Sequence, residues 1–255
     1  MNTGARKRMG YYAMAGLGAL ILGGLSVTAA LTPYVHVDKR HCVVGHAPAT
    51  SLAIVLDTSD PLVLVEPRQV SFAVDQELGE LRKGDRILAL DVGGKALAEV
   101  APIVDECHPG DDDNIARNAF RRAVVDPINA HLRDVKGHEP AAQSPLAETI
   151  LTLASDPSVH PQGSRLIVLF ATDGLQNSPL QSAYRRNSRF PAPDGQPLKG
   201  VVIKLVLIRN ERDLRLQPRA IARFTDWLEQ AGAQVVAPEP GWLVLAKTEH
   251  HGGKQ

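Results

Sequence analysis

Residues 51–70 read SLAIVLDTSDPLVLVEPRQV, and the fold turns on how Ser51 to Val70 is divided. The first six residues, Ser51 to Leu56, are an apolar-rich run of strand length. A run without polar alternation is what a strand covered on both faces requires. It ends abruptly in Asp57, Thr58, Ser59 and Asp60, ahead of Pro61. From Pro67 the period changes: PRQVSFAVDQELGELRKG spaces its apolar residues as an amphipathic helix and stops at Gly84. Strand, polar loop and helix together open a parallel α/β unit.

The same alternation continues to the C-terminus. DRILALDV predicts a second strand, and GGKALAEVAPIVDEC an adjacent antiparallel edge strand entered through a Gly93–Gly94 turn. HPGDDDNIARNAFRRAVVDPINAHLRD predicts a loop and a long helix bent near Pro127. The run Asp111 to Asp113 lacks the glycine and downstream glutamate of a calcium loop, so an exposed loop with Asp113 or Asn114 as N-cap is expected there. SPLAETILTLASD predicts a helix with Pro145 in its first turn, where the missing N–H costs nothing. Strands are expected in SRLIVLFATDG, VVIKLVLI and GWLVLA, and a helix in RAIARFTDWLEQAG. The fold class is therefore α/β: a three-layer, doubly wound, mostly parallel sheet of Rossmann-like build.

The first forty residues are of another kind. Arg6, Lys7 and Arg8 precede an uncharged run from Met9 to Leu31. Roughly 20 such residues span a hydrocarbon core of about 30 Å as a helix. A secretory signal is the alternative, since Ser26 to Ala30 offers small residues for cleavage. The run is longer than the about 7 to 15 residues of a signal core, which favours an uncleaved anchor. The expected organisation is a cytoplasmic N-terminus (1–10), a transmembrane anchor (11–33), a linker (34–50), one α/β domain (51–247) and a disordered tail (248–255). Basic residues before the anchor outnumber Lys39 and Arg40 after it, which places the domain on the extracytoplasmic, periplasmic side of the inner membrane.

Two cysteines, Cys42 and Cys107, both follow the anchor. In an oxidising compartment they pair as a disulfide, the preferred reading, and in a reducing one they are buried thiols. Zinc is a third reading because His41, His46 and His108 lie close in sequence, although no C-x-x-C spacing accompanies them. Lys and Arg total 28, as do Asp and Glu, and aromatic residues make up 4%, so neither a basic footprint nor a stacking platform for nucleic acid is present.

Chemistry is expected past the carboxyl ends of the parallel strands. Asp57, Ser59 and Asp60 follow one strand, and Thr172, Asp173 and Gly174 another. Glu139, Ser144 and Thr149 fall in the loop and first turns of the helix between them. Carboxylates and hydroxyls converging from separate loops suit a hard divalent cation. Taken singly, each of these residues also reads as an ordinary turn or cap.

With those residues in place, DTSDP at Asp57 to Pro61, SPLAE at Ser144 to Glu148 and ATDG at Ala171 to Gly174 resemble the motifs of the von Willebrand factor A domain. Its metal-ion-dependent adhesion site uses D-x-S-x-S after the first strand, a threonine from a second loop and an aspartate after the fourth strand. The resemblance spans about Ser51 to Ala246. It implies that Asp57, Ser59, Ser144 and Asp173 hold Mg²⁺, or Mn²⁺ or Ca²⁺, directly or through water. The site is degenerate, because Pro61 stands where the motif has a hydroxyl, and the cation is expected to bind weakly. It further implies a non-enzymatic binding or scaffold role in which a protein partner engages the strand-end face. Metal-independent binding through that face is a variant.

The arginines of the loop Tyr184 to Lys199 are read as solvated, with contact to an acidic partner as the alternative. The competing function is a metal-dependent hydrolase acting on a phosphate or ester through Asp57. Against it, the chain has no G-x-S-x-G elbow and no Gly-rich phosphate loop.

Overall fold

A computed structural model describes residues 36–60, 66–93, 99–110, 114–135 and 139–236. The expected anchor, Pro61, Gly94, Asp111 to Asp113, the strand expected over 241–246 and the tail lie outside the described residues. Among the described residues no helix is long and apolar enough to cross a membrane.

Six strands form one sheet: β1 (Thr50–Leu56), β2 (Arg86–Asp91), β3 (Val104–Cys107), β4 (Arg165–Thr172), β5 (Val202–Leu207) and β6 (Gln234–Val236). Their order is β3-β2-β1-β4-β5-β6. Among the described strands only the β2–β3 pair is antiparallel. The chain thus moves outward from β1 to β3, returns to pair β4 with the other side of β1, and then moves outward again. That reversal leaves a crevice at the carboxyl ends of β1 and β4, where the connections depart in opposite directions.

Among the described residues, four helices cover the sheet: α1 (Glu66–Leu78), α2 (Asn114–Asp134), α3 (Leu146–Ser155) and α4 (Gln217–Gln230). Strand alternation assigns the two faces. Leu52, Ile54 and Leu56 of β1 and Ile167 and Leu169 of β4 pack with Val70, Val74 and Leu78 of α1 and Phe120, Val124, Ile128 and Leu132 of α2. The intervening Ala53, Val55, Val168 and Phe170 pack with Ile150 and Leu153 of α3 and Phe224, Trp227 and Leu228 of α4. Both faces of β1 and β4 are therefore dry, which accounts for their unbroken apolar runs. Burying each such Val, Leu, Ile or Phe side chain contributes about 1.5–3 kcal/mol.

Pro127 sits inside α2, and the helix continues through it to Asp134. A strand that the sequence did not announce, β6, pairs with β5 through only three residues.

Cys42 and Cys107 form a disulfide across a sequence separation of 65, which excludes the zinc reading of these cysteines. The bond staples the segment before β1 to the outer edge of β3. The Cys107 backbone N–H also donates to the Arg40 carbonyl at 2.8 Å. Arg40 and Arg86 both reach Asp105, at 2.5 and 2.7 Å. The pairing covers part of an otherwise open strand edge.

Candidate functional site: a buried carboxylate pair at the sheet rim

The polar residues after β1 and β4 meet at the crevice. Asp57 and Asp173 are each 5% exposed, and Ser59, Ser144 and Thr172 are also buried. Asp57 is the hub. Its Oδ1 accepts the Ser59 hydroxyl at 2.6 Å and the Ser59 backbone N–H at 3.2 Å. Its Oδ2 accepts the Thr172 hydroxyl at 2.8 Å. The Ser144 hydroxyl stands 3.4 and 3.3 Å from the two oxygens.

Asp173 lines the same cavity as Asp57, Ser59 and Asp60, with a volume of about 460 Å³. Its Oδ1 accepts the Leu175 N–H at 2.8 Å, and its Oδ2 accepts the Asn210 side-chain amide at 2.6 Å. The same amide nitrogen of Asn210 donates to Asp60 Oδ2 at 3.0 Å, turning that carboxylate toward the cavity. Arg212 approaches Asp60 at 3.9 Å from the solvent side.

The local supports explain the convergence. Residues 58–60 are held by Thr58, whose hydroxyl donates to Asp91 Oδ1 at 2.7 Å, and by the Ser59 carbonyl, which accepts the Ala141 N–H at 2.7 Å. His131 of α2 contacts the other oxygen of Asp91 at 2.6 Å. Ser144 is fixed by reciprocal backbone bonds with Asn177, at 2.8 and 2.9 Å. Gln217, the first residue of α4, donates to the Asp173 carbonyl at 2.9 Å and accepts the Asn210 N–H at 3.1 Å.

After Asp173 the backbone turns at Gly174 with φ +75°, and a Cβ there would meet Ile221 Cγ1 at 2.7 Å. Gly174→Ala combines left-handed strain with overpacking. It is expected to cost about 2–4 kcal/mol and to shift the Asp173 carboxylate; urea unfolding checks the first effect.

Electrostatically the site is under-compensated. Burial pushes the Asp57 carboxyl above its ordinary range, against the lowering effect of its hydroxyl donors. Burial, and then the neighbouring Asp57 charge, push Asp173 up to about 8. The partners of both carboxyls are hydroxyls, amides and backbone N–H groups. Such a pair holds both charges in a low-dielectric site only when a cation joins it.

The donor chemistry fits a hard divalent cation: two carboxylates and three hydroxyls, all oxygen. It is not a carboxylate or histidine cage, and among the described residues no group of three or more His, Cys, Asp and Glu side chains is placed to hold a metal.

The structure brings together all four residues expected to form the site, namely Asp57, Ser59, Ser144 and Asp173. Glu139 and Thr149 do not join it. Glu139 is exposed, and the Thr149 hydroxyl back-bonds to the Pro145 carbonyl at 2.8 Å. Asn210 and Gln217 were not anticipated. The rule that points to Asp57 and Asp173 also points to Asn210, three residues past the end of β5.

No protein-family model matches the chain, and no curated protein sequence matches it. Among solved structures it is similar to an aerotolerance-related membrane protein from Bacteroides fragilis NCTC 9343 carrying multiple mutations to serine. That pair shares 12% identity, with TM-score 0.40 over 78% of this chain and 96% of that one. BatB from Bacteroides thetaiotaomicron gives 13% identity and TM-score 0.39, over 80% and 98%. Manganese-loaded TRAP protein from Plasmodium vivax gives 13% and 0.34, over 71% and 73%. At such similarity the weight rests on this chain's own topology: a doubly wound sheet with one antiparallel edge strand, and motif residues gathered at its switch point, make the fold von Willebrand factor A-like.

Proposed function

We propose that this domain is an extracytoplasmic binding module, tethered to the membrane by its N-terminal segment, that engages a protein partner at the rim formed by Asp57, Ser59, Ser144 and Asp173. The observation that supports this most is the buried carboxylate pair, opening onto a cavity of about 460 Å³ and neutralised by no side chain among its hydrogen-bond partners.

A divalent cation is the group that fits, held by Asp57 and Asp173 with the hydroxyls of Ser59, Ser144 and Thr172 near. Bound there, it would supply positive charge that an acidic group of the partner can approach. The protein's own contribution is orientation: Asn210 aims Asp173 and Asp60, and Thr172 and Ser59 fix the rotamer of Asp57. Both oxygens of Asp57 accept hydrogen bonds, an arrangement suited to a ligand or an electrostatic anchor more than to an attacking nucleophile.

The test is a thermal melt of the full chain in detergent, with EDTA or with millimolar Mg²⁺ or Mn²⁺. A cation that binds only the folded chain raises the midpoint, by about 2–4 °C for each 1 kcal/mol of linkage. The rise is expected in the wild type and absent in Asp57→Ala. An unchanged midpoint at millimolar metal removes the cation from the proposal and leaves metal-independent docking. Hydrolysis of generic phosphate esters that is lost in Asp57→Asn would replace the binding role with the hydrolase reading.

A further inference from the structure

A second cavity, of about 160 Å³, lies beside the rim site, between the segment after β4 and helix α4. Gly174 and Gln176 contribute to its wall, so it shares the turn that carries Asp173. Four arginines line it: Arg185 and Arg186 from the loop after β4, and Arg219 and Arg223 from successive turns of α4. No Asp or Glu lines it. Two wall residues reach carboxylates behind the wall: the Tyr184 hydroxyl donates to Asp213 at 3.3 Å, and the Gln176 side-chain amide donates to Glu148 at 2.7 Å.

The arginines of the loop that brings Arg185 and Arg186 here are exposed, as expected, but the loop is anchored at its base. Phe190 stacks on Trp227 with ring centroids 5.2 Å apart. The Trp227 indole donates to the Pro191 carbonyl at 3.0 Å. Ser182 N–H donates to the Ser188 hydroxyl at 3.0 Å, and Ala183 N–H to the Gln176 carbonyl at 2.8 Å. These contacts hold guanidiniums from two elements around one space, against their mutual repulsion. A second observation concerns Gln181, also in the wall and 3% exposed. Its side-chain carbonyl oxygen is buried and finds no hydrogen-bond donor.

We propose that this cavity is a binding site for a phosphate that carries a P–OH group, with Arg185, Arg186, Arg219 and Arg223 as donors to its oxygens and the Gln181 carbonyl as acceptor of its proton. The size excludes a nucleotide, since drug-sized ligands occupy about 300–1,000 Å³, and it suits one oxyanion with some of its water. Guanidinium forks match phosphate oxygens in geometry and charge. A lone acceptor among four donors also discriminates. Hydrogen phosphate offers it an O–H, whereas sulfate at neutral pH brings only acceptors and sets one of its oxygens against a carbonyl oxygen. Inorganic phosphate keeps a P–OH at neutral pH, whereas a monoester, with a second pKa of about 6, carries one only in its minor monoanion.

The inference does not depend on the rim site. It is tested by calorimetric titration of the full chain in detergent with three probes at matched ionic strength: inorganic phosphate, glycerol 3-phosphate and sulfate. Saturable binding of phosphate, at least about tenfold tighter than sulfate, is expected at neutral pH, since a lost buried hydrogen bond is worth about 1.4 kcal/mol or more. The ratio of the two phosphate affinities tells free anion from monoester as the natural source. Arg185→Ala with Arg219→Ala, both at exposed positions, should weaken phosphate at least tenfold, and Arg186→Ala alone less. The control Arg165→Ala, on β4 outside the cavity, should leave it unchanged. Phosphate also stabilises proteins non-specifically by exclusion from their surface. A response equal in the wild type and the double variant, equal affinities for phosphate and sulfate, or no saturable heat overturns the proposal.

Discussion

In a chelating buffer, raising the pH from about 4 to 8 will lower the stability of this protein, and Asp173→Asn will remove much of the decline. The folded-state carboxyl of Asp173 is pushed up to about 8, from an ordinary value of 3.8. The folded chain therefore holds a proton that the unfolded chain has released. Stability from this group is complete below pH 3.8 and is lost as pH rises to about 8, at about 1.4 kcal/mol per pH unit. Asp57 shifts in the same direction and adds to the slope. Asparagine carries no charge to bury, but it keeps only one of the two acceptor oxygens and so forfeits a hydrogen bond worth about 1 kcal/mol. Across the window the electrostatic gain is larger, and the variant should be the more stable chain at pH 8.

Saturating Mn²⁺ should reverse the order, because the wild-type carboxylate then has a cation to face. Asp105, held down on balance by Arg86 and Arg40 against its own burial, acts below pH 4 and does not enter the comparison. Urea unfolding of both chains in detergent across the range provides the measurement. Equal slopes would show that Asp173 is ionised in the metal-free fold.

Breaking the Cys42–Cys107 bond has the other large expected effect. For a separation of 65 residues the loop-entropy relation gives about 4 kcal/mol. In a chain of this size that is a fall in melting midpoint on the order of 10 °C. Cys42→Ser combined with Cys107→Ser tests it without a reductant. The double variant keeps the Cys107 N–H to Arg40 bond available, so the loss reads chiefly the covalent link. A fall of under about 2 °C would mean that the segment before β1 is already ordered in the unfolded ensemble, or does not constrain it.

The strands and the rim residues could be read from sequence because each obeys a local rule. A β-branched or leucine-rich run closed by Asp and Ser gives both a buried strand and the loop at its carboxyl end, as at Leu56–Asp57 and Thr172–Asp173. The antiparallel β3, paired with β2, was legible because a Gly-Gly pair in the sequence ahead of it reads as a reversal of the chain. What sequence left out are residues whose role is set by partners far along the chain. Asn210 reads as a loop residue until its amide is seen between Asp60 and Asp173, 150 and 37 positions away. Gln217 looks like a surface residue at a helix start, yet it is fully buried, bonding two carbonyls that the sheet presents. β6 was missed because three residues are too few to show a period. The arginines after Tyr184 are exposed, as their sequence reads, but nothing local announces that Phe190 will find Trp227 and anchor their loop.

The staple at β3 also has a mechanical meaning. Tension applied to the chain ahead of Val37 divides at Cys42: one branch runs through residues 43–49 into the central strand, and the other crosses the sulfur bridge to the sheet's margin. Load entering at Cys42 is thereby shared inside the domain between the central strand and the sheet's margin, and cutting the bridge returns all of it to residues 43–49.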